Sequence, residues 1–430
     1  MIGGKYGIGL WVVLLLLFFQ ETFAGAEKIS TISVKHSHLP SALPVVIEVG
    51  GLASLTGIPV RKIRLAVYTG TELAQIPFQI DQKDDNGLYV IEEGPGKTKV
   101  GNNYLDDNDE IAFMAFDAGE EIKTGAYGDS SIIARIKVED TDSKNVKWIY
   151  ILNDEGVEAS VEDYIIYDAE GDSVKTDIYA LGFSNDTPFL VDELKWAGPV
   201  KGEWSENVVD TMKLKQQGKL FGVFDFKRNH RDYTSELIAV KDGPIRVIRR
   251  TSNKVRILWT LKSPEVLIDY IIHKSGFQMD IVIDIPFRIG LVFDDLESIA
   301  TIDWWEMAAE KGFTLRHIST RGEYRIDGKM TDGERQLNEY PDTDMVINSD
   351  HGRIEMDMEM TDGSPILKTV FYMDDSAVQD PPENVPGQYG NVGFRTYNWE
   401  KLTTATSHMM FNAHIFKNSG SRLAENKITR

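Results

Sequence analysis

The chain has no cysteine in 430 residues. This excludes a disulfide framework, a cysteine-ligated zinc or iron–sulfur site and c-type haem attachment. Positive charge is also scarce: 46 Lys and Arg face 67 Asp and Glu, for a formal net charge of −21. Such a balance argues against nucleic acid and anionic membrane surfaces as general partners. Apolar runs long enough to span a membrane, about 20 residues, are missing too. The longest, Ile8–Phe19, follows Lys5 and precedes Ala24-Gly25-Ala26, the small-residue pattern that a signal peptidase cuts. Residues 1–26 therefore read as a signal peptide cleaved before Glu27. The mature protein is expected to be periplasmic or secreted, with no transmembrane span after cleavage.

Catalytic signatures are few. No GxSxG elbow and no HExxH pair occurs. Gly94-Pro95-Gly96-Lys97-Thr98 lacks the leading glycine of a phosphate loop, since Ile91 stands where it should be. Helical periodicity is rare, the best candidate being Ser298–Lys311 with Gly312 as its stop. Ser205–Lys215 fits a helix or a strand.

What recurs instead is alternation and β-branched or aromatic runs, from Pro44–Val49 through Phe277–Ile285. Asn86-Gly87, Asp242-Gly243, Asp327-Gly328, Asp332-Gly333 and Asp362-Gly363 punctuate them as hairpin turns do. The fold class is all-β with minor helix. Residues 27–170 are expected to form an N-terminal β-sandwich. After the polar break Ala169–Ser173, residues 171–430 form a larger antiparallel super-sandwich with a polar tail. The stretch Asp374–Asn391, holding Pro381, Pro382, Pro386, Gly387 and Gly390, reads as a loop.

Ile76–Asp81, followed by Leu105–Met114, resembles the opening of exported bacterial β-proteins of unassigned role. Asp242-Gly243-Pro244-Ile245-Arg246-Val247 is similar to the start of a strand in large sandwiches of the galactose-mutarotase-like type. The resemblance implies a super-sandwich and a carbohydrate ligand; no family active-site residue is carried over.

Charge is segregated. Between Lys213 and Lys262 lie 13 basic residues and only four acidic ones. A basic island on an acidic body focuses the field and draws in anions. Within it, Arg228, Asn229, Arg231 and Arg249 supply oriented donors for a carboxylate or sulfate. His230 suits a general base, and Tyr233 an acid or base if the arginine field lowers its pKa. These are the groups that β-elimination on a uronic sugar requires. The competing reading is ordinary cross-strand ion pairing. Trp304 and Trp305 offer flat faces for stacking on sugar rings, or pack as core.

Gln82-x-Asp84-x-Asn86-Gly87-x5-Glu93, with Asp81 adjacent, approaches a calcium loop. Asp81, Asp84, Asn86 and Glu93 are thus candidate calcium ligands; a polar hairpin is the alternative. The histidines show no metal-ligand spacing. Two functions stand open. One is an exported protein that binds or cleaves anionic carbohydrate, with polysaccharide lyase as the enzymatic form. The other is a non-catalytic envelope module that docks a protein partner.

Overall fold

The computed structural model describes residues 29–36, 43–95, 101–123, 131–141, 143–320, 322–361, 363–403 and 405–418. Residues 1–26, expected to be a signal peptide, and the end of the tail lie outside them. The described chain is overwhelmingly β, with only two short α-helices, Met307–Glu310 and Asp332–Leu337. No helix among the described residues is long and apolar enough to cross a membrane.

Two compact units partition the chain. The first comprises Met1–Val90 and Lys99–Asp163, the second Ile91–Thr98 and Tyr164–Arg430. In the first, a five-stranded sheet runs in the order Ser30–His36, Ile132–Asp140, Val146–Asn153, Ile63–Tyr68, Leu73–Gln75. Its first pair is parallel and the remainder antiparallel. A three-stranded sheet of Pro44–Glu48, Glu110–Met114 and Phe78–Asp81 faces it. Alternation explains the packing: Ala134, Ile136 and Val138 point inward from one sheet, and Val45, Ile47, Ile111 and Phe113 from the other. This is a β-sandwich.

The second unit holds a ten-stranded sheet, a five-stranded sheet and a four-stranded sheet around one core. The five-stranded sheet is ordered Phe224–Asn229, Val209–Leu220, Phe293–Trp304, Asn391–Tyr397, Leu367–Met373. Its inner face supplies Met212, Ile302, Val370 and Phe394. The large sheet supplies Val247, Tyr270, Phe277 and Phe411, and the small one Tyr179, Leu181 and Trp196. The 169–172 stretch turns Ile166–Asp168 back on Ser173–Lys175, so it is a hairpin within this unit.

Two local expectations fail for identifiable reasons. Ser298–Trp304 is strand, not helix, because it occupies the middle of the five-stranded sheet. From Thr301 to Trp304 it is buried on both faces, which removes the alternation that marks a half-buried strand. Asp332-Gly333 opens a helix rather than a hairpin. Thr331 caps that helix by accepting from Glu334 N, and the Glu334 side chain returns the bond to Thr331 N. Asp374–Asn391 is indeed irregular up to the strand at Asn391.

Strands in the five-stranded sheet approach so closely at Gly393 that a β-carbon would lie 2.1 Å from the Ala300 carbonyl oxygen. Gly393→Ala is therefore expected to destabilise the protein by about 2–3 kcal/mol through overpacking. A urea denaturation series, with the midpoint falling at unchanged slope, checks this.

Candidate functional site

The basic island does not converge. Arg249 is 0% exposed, grips Asp172 through Nε at 2.8 Å and through Nη2, and lies 3.9 Å over the Phe183 ring. Arg250 forms a two-pronged pair with Asp269 at 2.6 Å for each bond. Arg228 donates to the carbonyls of Lys227, Arg256 and Ile257, each at 2.6 Å. Arg256 pairs with Asp232, and Lys219 with Asp225 at 2.5 Å. Donors expected to hold an anionic sugar are thus mostly occupied by carboxylates and carbonyls of the protein.

Lys227–Tyr233 is not one strand. It breaks into a 3-10 turn at His230–Asp232, where Asn229 Oδ1 accepts from Arg231 N at 2.9 Å and Asp232 accepts from Asn229 N. Asn229 therefore caps the turn through its side-chain oxygen. Arg231 is exposed. His230 is buried, and its Nδ1 finds no partner among the described residues. Burial, with Arg231 beside it, pulls its pKa down to about 4. Tyr233 packs 5.4 Å from the Phe189 ring, and desolvation pushes its pKa up, against the lowering that acid–base work requires. The geometry gives this pair no proton-transfer role.

Two of the four calcium candidates, Asp81 and Asp84, use their carboxylates within the protein. Asp81 is buried and accepts from the Gln79 amide at 2.9 Å. Asp84 Oδ1 accepts from Asn86 N and Leu88 N, the hydrogen bonding of a polar hairpin turn. Asn86 is exposed in that turn. Glu93 belongs to the second unit, where its carbonyl accepts from Val240 N. No group of three or more His, Asp or Glu among the described residues is placed to hold a metal ion.

A different cluster lies under the 374–390 segment, which straps across the outer face of the five-stranded sheet. Lys213, fully buried, donates to Asp303 at 2.7 Å, Gln388 at 3.1 Å and Glu383 at 3.2 Å. Lys215 pairs with Asp380, and burial pulls its pKa down to about 8. Asp210 accepts from Asn384 N and Val385 N at 3.2 Å. Asp374 accepts from the backbone of Asp327, Gly328 and Gly390. Burial raises Asp303 to about 6 although Lys213 opposes it. Sequence inspection counts Lys213 and Lys215 in the island, but nothing in it reveals partners some 170 residues away.

Beside the strap, where Phe293–Trp304 ends, the surface opens into a concavity of about 430 Å³. Glu206, Asn207, Trp305, Glu306, Met307 and Glu310 line it. Trp305 N donates to Val208 O, and its own carbonyl accepts from Ala308 N, so the ring sits at a fixed strand-to-helix junction. Asn207 is structural: its amide bonds Leu194 N, Val209 N, Asp192 O and Val209 O. Glu206 pairs with Lys311 at 3.1 Å. Tyr389 of the strap is near enough to Glu306 for that charge to add to desolvation in raising its pKa. Trp304 points the other way. At 1% exposure it packs with Phe313 and belongs to the core, so of the two tryptophans only Trp305 faces a cavity. Glu306 and Glu310 escaped the sequence reading, although their i, i+4 spacing directly after Trp305 was available.

Replacing Lys213 by Met leaves Asp303 and Glu383 buried without their cation, and is expected to cost about 3–5 kcal/mol. Guanidinium denaturation measures the loss, and limited proteolysis should find new cuts within 374–390. His230 gives a pH signature. Its native pKa lies below the 6.5 of a free histidine, so the unfolded chain binds the proton more tightly. Stability falls as pH drops from about 6.5 to about 4, by up to about 3 kcal/mol. In His230→Gln this acid-linked loss should vanish, seen as a flatter plot of unfolding free energy against pH than the wild type gives.

No family model and no curated protein sequence matches the chain. Among solved structures it is similar to an alpha-mannosidase from Enterococcus faecalis V583, with a TM-score of 0.40 and 9% identity. The match covers 87% of this chain, which spans 42% of that enzyme's chain. A likeness of this size leaves the role of the site to its own geometry.

Proposed function

We propose that the protein is an exported carbohydrate-binding protein whose ligand is a neutral sugar seated on Trp305. One observation carries the reading: a half-buried Trp at the strand-to-helix junction, lining an open concavity with Glu206, Glu306 and Glu310. An indole face packs against the C–H face of a pyranose, and carboxylates accept from adjacent hydroxyls. The surrounding charge is negative, which disfavours the uronic or sulfated ligand that the basic island suggested. A lyase has no support here, since His230 is buried and unpaired and Tyr233 is shifted upward. Binding, rather than cleavage, is what the arrangement accounts for. Docking of an envelope protein remains the competing reading.

The test is a glycan array followed by calorimetry with the best neutral oligosaccharide. Trp305→Ala should weaken binding by about 1–2 kcal/mol, roughly tenfold, while Trp305→Phe retains part of it. Absence of binding across neutral glycans, or an unaffected Trp305→Ala variant, refutes the proposal.

A further inference from the structure

Elsewhere in the same unit, large apolar side chains stand in solvent on three neighbouring connections, one in the five-stranded sheet, one in the ten-stranded sheet and one joining the two. Phe221, Val223 and Phe224 form the tip between Val209–Leu220 and Phe224–Asn229. Trp259 and Leu261 form the tip after Arg246–Leu258, and Phe287 and Leu291 lie before Phe293. Hydrogen bonds bring the three together. Phe221 N donates to Val292 O at 2.8 Å, and Arg228 reaches the carbonyls of Arg256 and Ile257. Between them opens an apolar hollow of about 110 Å³, lined by residues including Phe226, Ile257, Phe287 and Phe293.

The tip conformations argue that these rings are not there for folding. Phe221 has φ 52° and Gly222 φ 68°, the positive pair of a tight hairpin turn, where Asn-Gly is the favoured filling. Trp259 has φ 37° and is 90% exposed. A side chain with a β-carbon is strained in this region, and an indole in water gains no packing to offset the strain. Exposed apolar surface gathered in one place marks a contact with something else.

Charge and shape indicate what that is. Residues 218–232, 256–262 and 284–295 carry seven Lys and Arg against five Asp, on a chain of net charge −21; Lys219 and Arg256 are paired with Asp225 and Asp232, while Lys227, Arg231 and Arg288 are exposed. Protruding aromatic and aliphatic tips on positively charged legs match an anionic bilayer. Rings sit at the interface, aliphatic groups enter the acyl layer, and Lys and Arg meet headgroups. Convex points need a partner that yields around them, which a lipid surface does. We propose that this region seats the protein on an anionic membrane surface, with Phe221, Phe224, Trp259 and Leu291 entering the interface.

The test is co-sedimentation of the full chain with vesicles of phosphatidylcholine containing about a third phosphatidylglycerol, against phosphatidylcholine alone. Wild-type protein should pellet with the anionic vesicles and much less with the neutral ones. The double variant Phe221→Asn, Trp259→Gly should lose binding by about tenfold or more, with an unfolding midpoint equal to or above wild type because the turns are relaxed. Lys227→Glu with Arg231→Glu should weaken binding while leaving the tips intact. Wild type that stays in the supernatant, equal binding to neutral vesicles, or a double variant that pellets like wild type overturns the proposal.

Discussion

A single buried ammonium organises the irregular part of the second unit. Lys213 has no water to solvate it, so Asp303, Glu383 and Gln388 must supply the oxygens. Two of these come from the 374–390 strap and one from the adjacent strand, so the charge can be satisfied only when the strap is in place. A segment with no regular hydrogen-bond ladder is thereby tied to a rigid sheet. Asp210 and Asp374 repeat the device by accepting backbone N–H groups of the strap and its neighbours. Burying these charges costs desolvation, which the upward displacement of Asp303 records.

The all-β class was legible because strand periods and turn residues are local signals. Gly87 and Gly328 adopt the positive φ that their Asn-Gly and Asp-Gly pairs imply. Ser298–Trp304 was not legible, because from Thr301 onward the strand is buried on both faces and loses its two-residue period. Thr331–Glu334 shows the reverse: a capping box lay in plain sight, but the Asp-Gly within it drew the reading toward a hairpin.

The site was only half visible for a different reason. Residue types can be counted in a sequence, but pairing is decided across long separations. Arg249 finds Asp172 across 77 residues, and this one contact turns a supposed ligand donor into part of the core. The same holds for Trp304 and Trp305, neighbours in sequence with opposite fates. Trp304 is the last residue of its strand and packs into the core, whereas Trp305 lies in the connection to the helix, where the chain leaves the sheet.

The Val209–Leu220 and Phe293–Trp304 strands run side by side, pairing Leu220 with Phe293 at one end and Val209 with Trp304 at the other. Twelve residues of extended chain measure about 35–40 Å. The tryptophan-floored concavity and the Phe221–Phe224 tip therefore stand at the two ends of one stiff ribbon, cross-braced by hydrogen bonds along its length. Seated on lipid by its tips, the molecule would present its sugar platform as a post does, several nanometres out and at a fixed height. Reach, rather than affinity alone, would then govern which glycans it meets.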